Sequence, residues 1–253
     1  MEISEKAWDW YIDRLRRVND NASQRVLLYL RGNGFPQTTE EMNTLIDYCY
    51  KVNRTYGEAA AEIACQMYDQ IAALSKAAVP SAVPASVADI HEVAKSVVGT
   101  LKTENEEIVS SSIGRLVKMA AVDTTMQNAL RDGAEWAWIP HGDTCAFCIA
   151  LASRGWQRAS TKAIKNGHAE HIHANCDCTY AIRFNERTTV NGYDPDKYKD
   201  MYYGADGYTA TQRINSMRRE FYEENKERIN EQKRDAYAKR KERESSRAEE
   251  IDV

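Results

Sequence analysis

No run of apolar residues in this 253-residue chain approaches the roughly 20 needed to cross a bilayer, so no helical membrane anchor is expected. No charge sign dominates: 34 Lys and Arg stand against 38 Asp and Glu, a formal net charge of -4. That mild acidity argues against a general nucleic-acid binder. The opening stretch MEISEKAWDWYIDRLRR is amphipathic and charged and does not read as a secretory signal. No nucleotide-binding glycine loop is found. Histidine is scarce, with 5 copies, and cysteine hardly less so, with 6. The cysteines do not form a disulfide framework. Four fall in one tight pattern, while Cys49 and Cys65 lie alone in helical sequence as small apolar fillers. Folding in a reducing cytoplasm is the simplest reading.

What is present divides into three regions: 1–134, 135–185 and 186–253. The first reads as helix. Trp8, Tyr11, Ile12, Leu15 and Val18 recur at spacings of three and four and share one face. RGNGFPQTT breaks the pattern. Thr38 then precedes Glu41 by three, a capping-box signature opening one long helix through Leu74, with Gly57 as a point for a bend. AAVPSAVPAS reads as a linker. Ser86 is the expected start of a helix carrying Val93, Val97 and Leu101. Thr103 with Glu106 reads as a second capping box, before a helix running to about Arg131. In the second region, EWAWIP and CTYAIRF alternate as short strands do. Residues 186–212 read as an extended arm. From Thr211 the chain reads as one charged helix, in which Tyr222, Ile229 and Ala236 make a narrow seam suited to one partner helix. The expected class is therefore mainly α, with a small α+β module around a short antiparallel sheet.

The scarce residues gather between the two strands. TCAFC places Cys145 and Cys148 on a knuckle, and HAEHIHANCDC follows about twenty residues later with His173, Cys176 and Cys178. Thiolates with an imidazole suit zinc in tetrahedral geometry. Five candidates, Cys145, Cys148, His173, Cys176 and Cys178, compete for four places, and the pattern does not choose among them. His171 is a spare, and His168 and His141 are weaker candidates. A redox Cys-x-x-Cys would leave Cys176 and Cys178 without a purpose. A structural zinc closing the loop from Cys148 to His173 would stabilise a small module by about 3 kcal/mol in chain-entropy terms, before metal–ligand bonding is counted.

Three catalytic readings are weaker. His168-Ala169-Glu170 has the residue types of a zinc deaminase, but the cysteine pair comes first and Thr144 stands where that motif has proline. A zinc-supported nuclease of the His-Asn-His type has its residue types in HIHAN, but needs a catalytic histidine separate from the ligands. A catalytic zinc hydrolase needs an open coordination position, and five available ligands favour a closed one. No enzyme activity is expected. The alternative kept is a zinc-supported DNA-binding or nuclease protein, for which the basic stretch 233–243 is the best support.

WIPHGDTCAFCIALASRGW and HIHANCDCTYAI together resemble the signature of phage minor capsid proteins of the Mu F-like head-morphogenesis family. Cys145, Cys148, Leu151, Gly155, His173, Cys176 and Cys178 match in order, and RTYGEAAAEIACQMYDQI is similar to the helix that precedes this module. The resemblance covers roughly residues 40–185. It implies a non-enzymatic, few-copy virion protein inside the head, acting in procapsid assembly or DNA delivery after assembly in the host cytoplasm. The implied partners are the portal protein and the major capsid protein, with further copies of itself and packaged DNA as additional contacts, and no membrane.

Overall fold

The computed structural model describes residues 2–142, 144–160 and 177–251. It is mainly helical, with two small sheets among the described residues. Helix α1 (Glu5–Asn33) is capped by Ser4, and it buries Trp8, Tyr11 and Ile12 on the face the spacing predicts. Helix α2 (Thr39–Leu74) opens on the predicted capping box: Thr38 Oγ1 accepts the Glu41 N–H, and Glu41 Oε2 accepts the Thr38 N–H, both at 3.1 Å.

Gly57 has a packing role within α2, which runs through it as one helix. A Cβ there would come within 2.8 Å of Val87 Cγ1. The proline-containing segment after α2 is held down on the helices as a strap. Asp69 Oδ1 accepts the Ala82 N–H at 2.7 Å, and Thr124 Oγ1 accepts the Ala85 N–H at 2.9 Å. Asn128 both accepts from the Val83 N–H and donates to its carbonyl, at 2.9 and 2.8 Å. These helix side chains thus satisfy backbone groups that a strap without secondary structure would otherwise leave unpaired.

Two predicted helix starts move. Helix α3 (Ile90–Leu101) begins at an Asp89–Glu92 capping box rather than at Ser86, because Val83 and Ala85 are already committed to the strap. Helix α4 (Glu106–Asp132) is capped by Asn105, whose Oδ1 accepts the Ile108 N–H. Thr103 instead donates back to the Thr100 carbonyl. Helix α4 packs against α1, α2 and α3.

Gly133, at φ 65°, ends α4 and turns the chain into strand β2 (Glu135–Ile139). Strand β4 (Thr179–Arg183) pairs antiparallel with β2, with Glu135 opposite Arg183 and Trp138 opposite Tyr180. Strand β3 (Gln157–Arg158) covers the other edge of β2. Period two puts Trp136, Trp138 and Tyr180 on one face, and Tyr180 meets both indoles edge-on at 4.5 and 4.7 Å. One apolar cluster joins Trp8, Tyr11, Tyr68 and Met126 of the helices to β2, β4 and helix α5 (Ala146–Ala152). The core therefore crosses the 134/135 boundary without a break.

Residues 186–212 hold more order than an extended arm. Strand β5 (Thr189–Val190) pairs in parallel with β1 (Glu2–Ile3), tying this segment to the start of α1. Helix α6 (Pro195–Gly204) follows. Its signal is in the sequence: Asp194 caps the Asp196 N–H at 2.9 Å, and Pro195 fits the first helical position. Helix α7 (Ala210–Ile251) is the predicted charged helix. No described helix is long and apolar enough to cross a membrane.

Candidate metal centre

The β2–β4 hairpin sets the described half of the cysteine pattern. Strand β2 ends at Ile139, opposite Thr179, so Cys178 enters the sheet beside the turn that leads from β2 to α5. There its Sγ accepts the backbone N–H of His141 at 3.4 Å. The same sulfur stands 3.9 Å from the His141 carbonyl, to which its S–H can donate. Cys145 stands at the N-cap of α5 and is half-buried, and Cys148, on the first turn, is buried. Cys178 is fully buried, and all three thiols border the same apolar cluster.

Helix α5 is clamped from two sides. Cys148, Leu151 and Ala152 belong to the main core. Ala146 and Ile149 pack on Ala205 and on Met217 of α7, with Ile214 and Phe221 beside them. Tyr193 adds a hydrogen bond from its hydroxyl to the Ala152 carbonyl at 2.8 Å. Sequence reasoning missed this second clamp. The 214, 217, 221 spacing, just before the seam at Tyr222, Ile229 and Ala236, carried the signal.

His141 points elsewhere: its Nδ1 lies 3.7 Å from Asp9 Oδ1 of α1. His173 and Cys176 fall outside the described residues, as do His168, Glu170 and His171. Among the described residues, no three His, Cys, Asp or Glu side chains gather into a metal-binding group. The described half supplies soft donors of the right chemistry, and a full set needs His173 or Cys176 as well. Cys49 and Cys65 contrast with the pattern. Burial pushes their thiols up to about 12 and about 11, with Glu62 and Asp69 adding to the effect at Cys65. Both stay protonated inside the helical half, as apolar fillers should.

A family model described as VG15 protein matches residues 2–205. The chain belongs to the VG15 protein family. It is accordingly a phage protein. The match is wider than the resemblance over 40–185: it begins in β1 and ends at Ala205, just past α6. Helix α7 lies beyond it. No curated protein and no solved structure matches the chain.

Proposed function

We propose that this VG15-family protein is a structural minor capsid protein of a tailed phage. It is present in few copies inside the head near the portal, and it acts in procapsid assembly or DNA delivery without catalysing a reaction. The family match over most of the chain carries the reading, and the resemblance of the cysteine–histidine pattern to Mu F-like proteins narrows it to the head. Four of Cys145, Cys148, His173, Cys176 and Cys178 would hold a zinc ion whose role is to fasten the chain between α5 and β4 to the hairpin. The core that Cys148 and Cys178 share with the helical half supports a structural role. Portal and major capsid protein are the proposed partners.

A nonsense mutation in the gene tests the reading. Particles from the mutant should be few, misassembled or non-infectious, with rescue by the gene in trans. Normal yields of infectious particles without the protein would contradict it.

A further inference from the structure

Helix α5 has 7 residues, too few to hold a helix alone in water, so its direction is set by what packs on it. Cys148, Leu151 and Ala152 make one stripe, against the main core. Ala146 and Ile149 make the other, and each is 1% exposed. Ile149 follows Cys145 at i+4 and therefore lies one turn along the same face as that thiol. The cover over Ala146 and Ile149 comes from the C-terminal part of the chain. It consists of Ala205 and of Met217 of α7, which is 4% exposed, with Ile214 and Phe221 beside them. The dependence runs both ways. Helix α7 packs chiefly on α5 and α6, and α6 itself packs on α5. Among the described residues, none of α7 beyond Phe221 joins an apolar cluster. The whole charged helix thus takes its direction from its first turns on α5.

We infer that Met217 is a positioning residue for the Cys145–Cys148 knuckle, and that metal occupancy there is coupled to the docking of α7. The inference rests on the zinc reading above. Any four of its five candidate ligands include Cys145 or Cys148, so ligation fixes the start of α5. A helix fixed there presents Ile149 to Met217 at a set place. A helix whose outer stripe is bare can roll on the core, and both thiols move with it. Linkage makes the coupling reciprocal: whatever the docking of α7 adds to zinc affinity, bound zinc adds to the docking of α7. The metal region thereby governs how the charged helix leaves the body of the protein. The family match ends at Ala205, so Ile214, Met217 and Phe221 reach a matched helix from outside the matched residues.

Two measurements on the reduced full-length protein test it. The first is zinc affinity, by competition with a chromogenic chelator. Met217→Ala should weaken it about tenfold, as loss of a residue that supports metal ligands does, and Met217→Leu should restore it. Leu45→Ala removes a comparable side chain from the other apolar cluster, far from α5. It should lower the thermal midpoint and change zinc affinity by less than about threefold. The second is hydrogen exchange on the wild-type chain with zinc bound and after chelation. Chelation should strip protection from residues 210–221 and leave that of α2 in place. Zinc bound with equal affinity by the wild type and Met217→Ala would overturn the coupling and leave the zinc reading standing. So would equal losses in Met217→Ala and Leu45→Ala, or protection over 210–221 that chelation does not change or removes together with that of α2. A reduced protein that binds no zinc would overturn the zinc reading and this inference with it.

Discussion

Cys178 Sγ accepts the backbone N–H of His141 at 3.4 Å, across the open end of the β2–β4 hairpin. The contact places a buried sulfur beside the turn that carries the chain to Cys145 and Cys148.

The metal prediction follows from it. Elemental analysis should find about one zinc per chain. Cys148→Ser and Cys178→Ser should each lose the ion and expose the region around α5 to protease. Replacing His168 and Glu170 by Ala should leave it bound. Protein isolated without metal, with its thiols intact, would contradict the zinc proposal.

Gly57→Ala tests the strap. The added methyl would meet Val87 Cγ1 at 2.8 Å, and Val87 lies on a strap pinned by Asp69, Thr124 and Asn128. Overpacking of this kind costs about 1–3 kcal/mol, more than the roughly 1 kcal/mol that alanine gains over glycine in a helix. Urea unfolding should therefore show a destabilised protein. A variant more stable than wild type would mean the strap yields freely.

Much of the fold was legible because it rests on local signals. The Thr38–Glu41 capping box, the Trp8–Tyr11–Ile12 face and the two alternating strands are periodic or use capping chemistry, and each appears where the pattern predicts. The caps of α3 and α4 slipped by three and two residues, from Ser86 to Asp89 and from Thr103 to Asn105, because several polar residues could cap, and tertiary demand chose among them. The strap was not legible at all: its partners Asp69, Thr124 and Asn128 lie far away in sequence and look like ordinary helix-surface residues. The Cys178–His141 contact likewise depends on strand register, which spacing alone does not fix. The zinc candidates were legible as residue types, but their convergence was not.

Asp123 gives a pH dependence. Burial, and then Glu92 of α3, raise its carboxyl to about 6 from an ordinary 3.8. A group raised on folding favours the protonated native state, so its stabilising contribution is full below about pH 4 and is lost as pH rises through about 6. Asp123→Asn should thus stabilise the protein at pH 7.5 by on the order of 1–2 kcal/mol and flatten the profile between pH 4 and 6. Denaturation midpoints across that window supply the check. An unchanged profile would show that the carboxylate is well solvated.

The C-terminal helix should divide at Phe221. Met217 is 4% exposed and packs on α5, so Met217→Ala should cost about 2–4 kcal/mol. Truncation after Glu224 leaves that clamp intact and should shift the thermal midpoint little. Truncation before Ile214 should destabilise as strongly as the point variant. Equal melting of both truncated proteins would mean the clamp contributes nothing.

The central claim is that this VG15-family protein is part of the phage head. Quantitative mass spectrometry of purified particles addresses it most directly. The account predicts the intact chain in few copies per particle, retained in tail-less heads and released only when the head is opened. Particles of full infectivity that lack the chain altogether would contradict it.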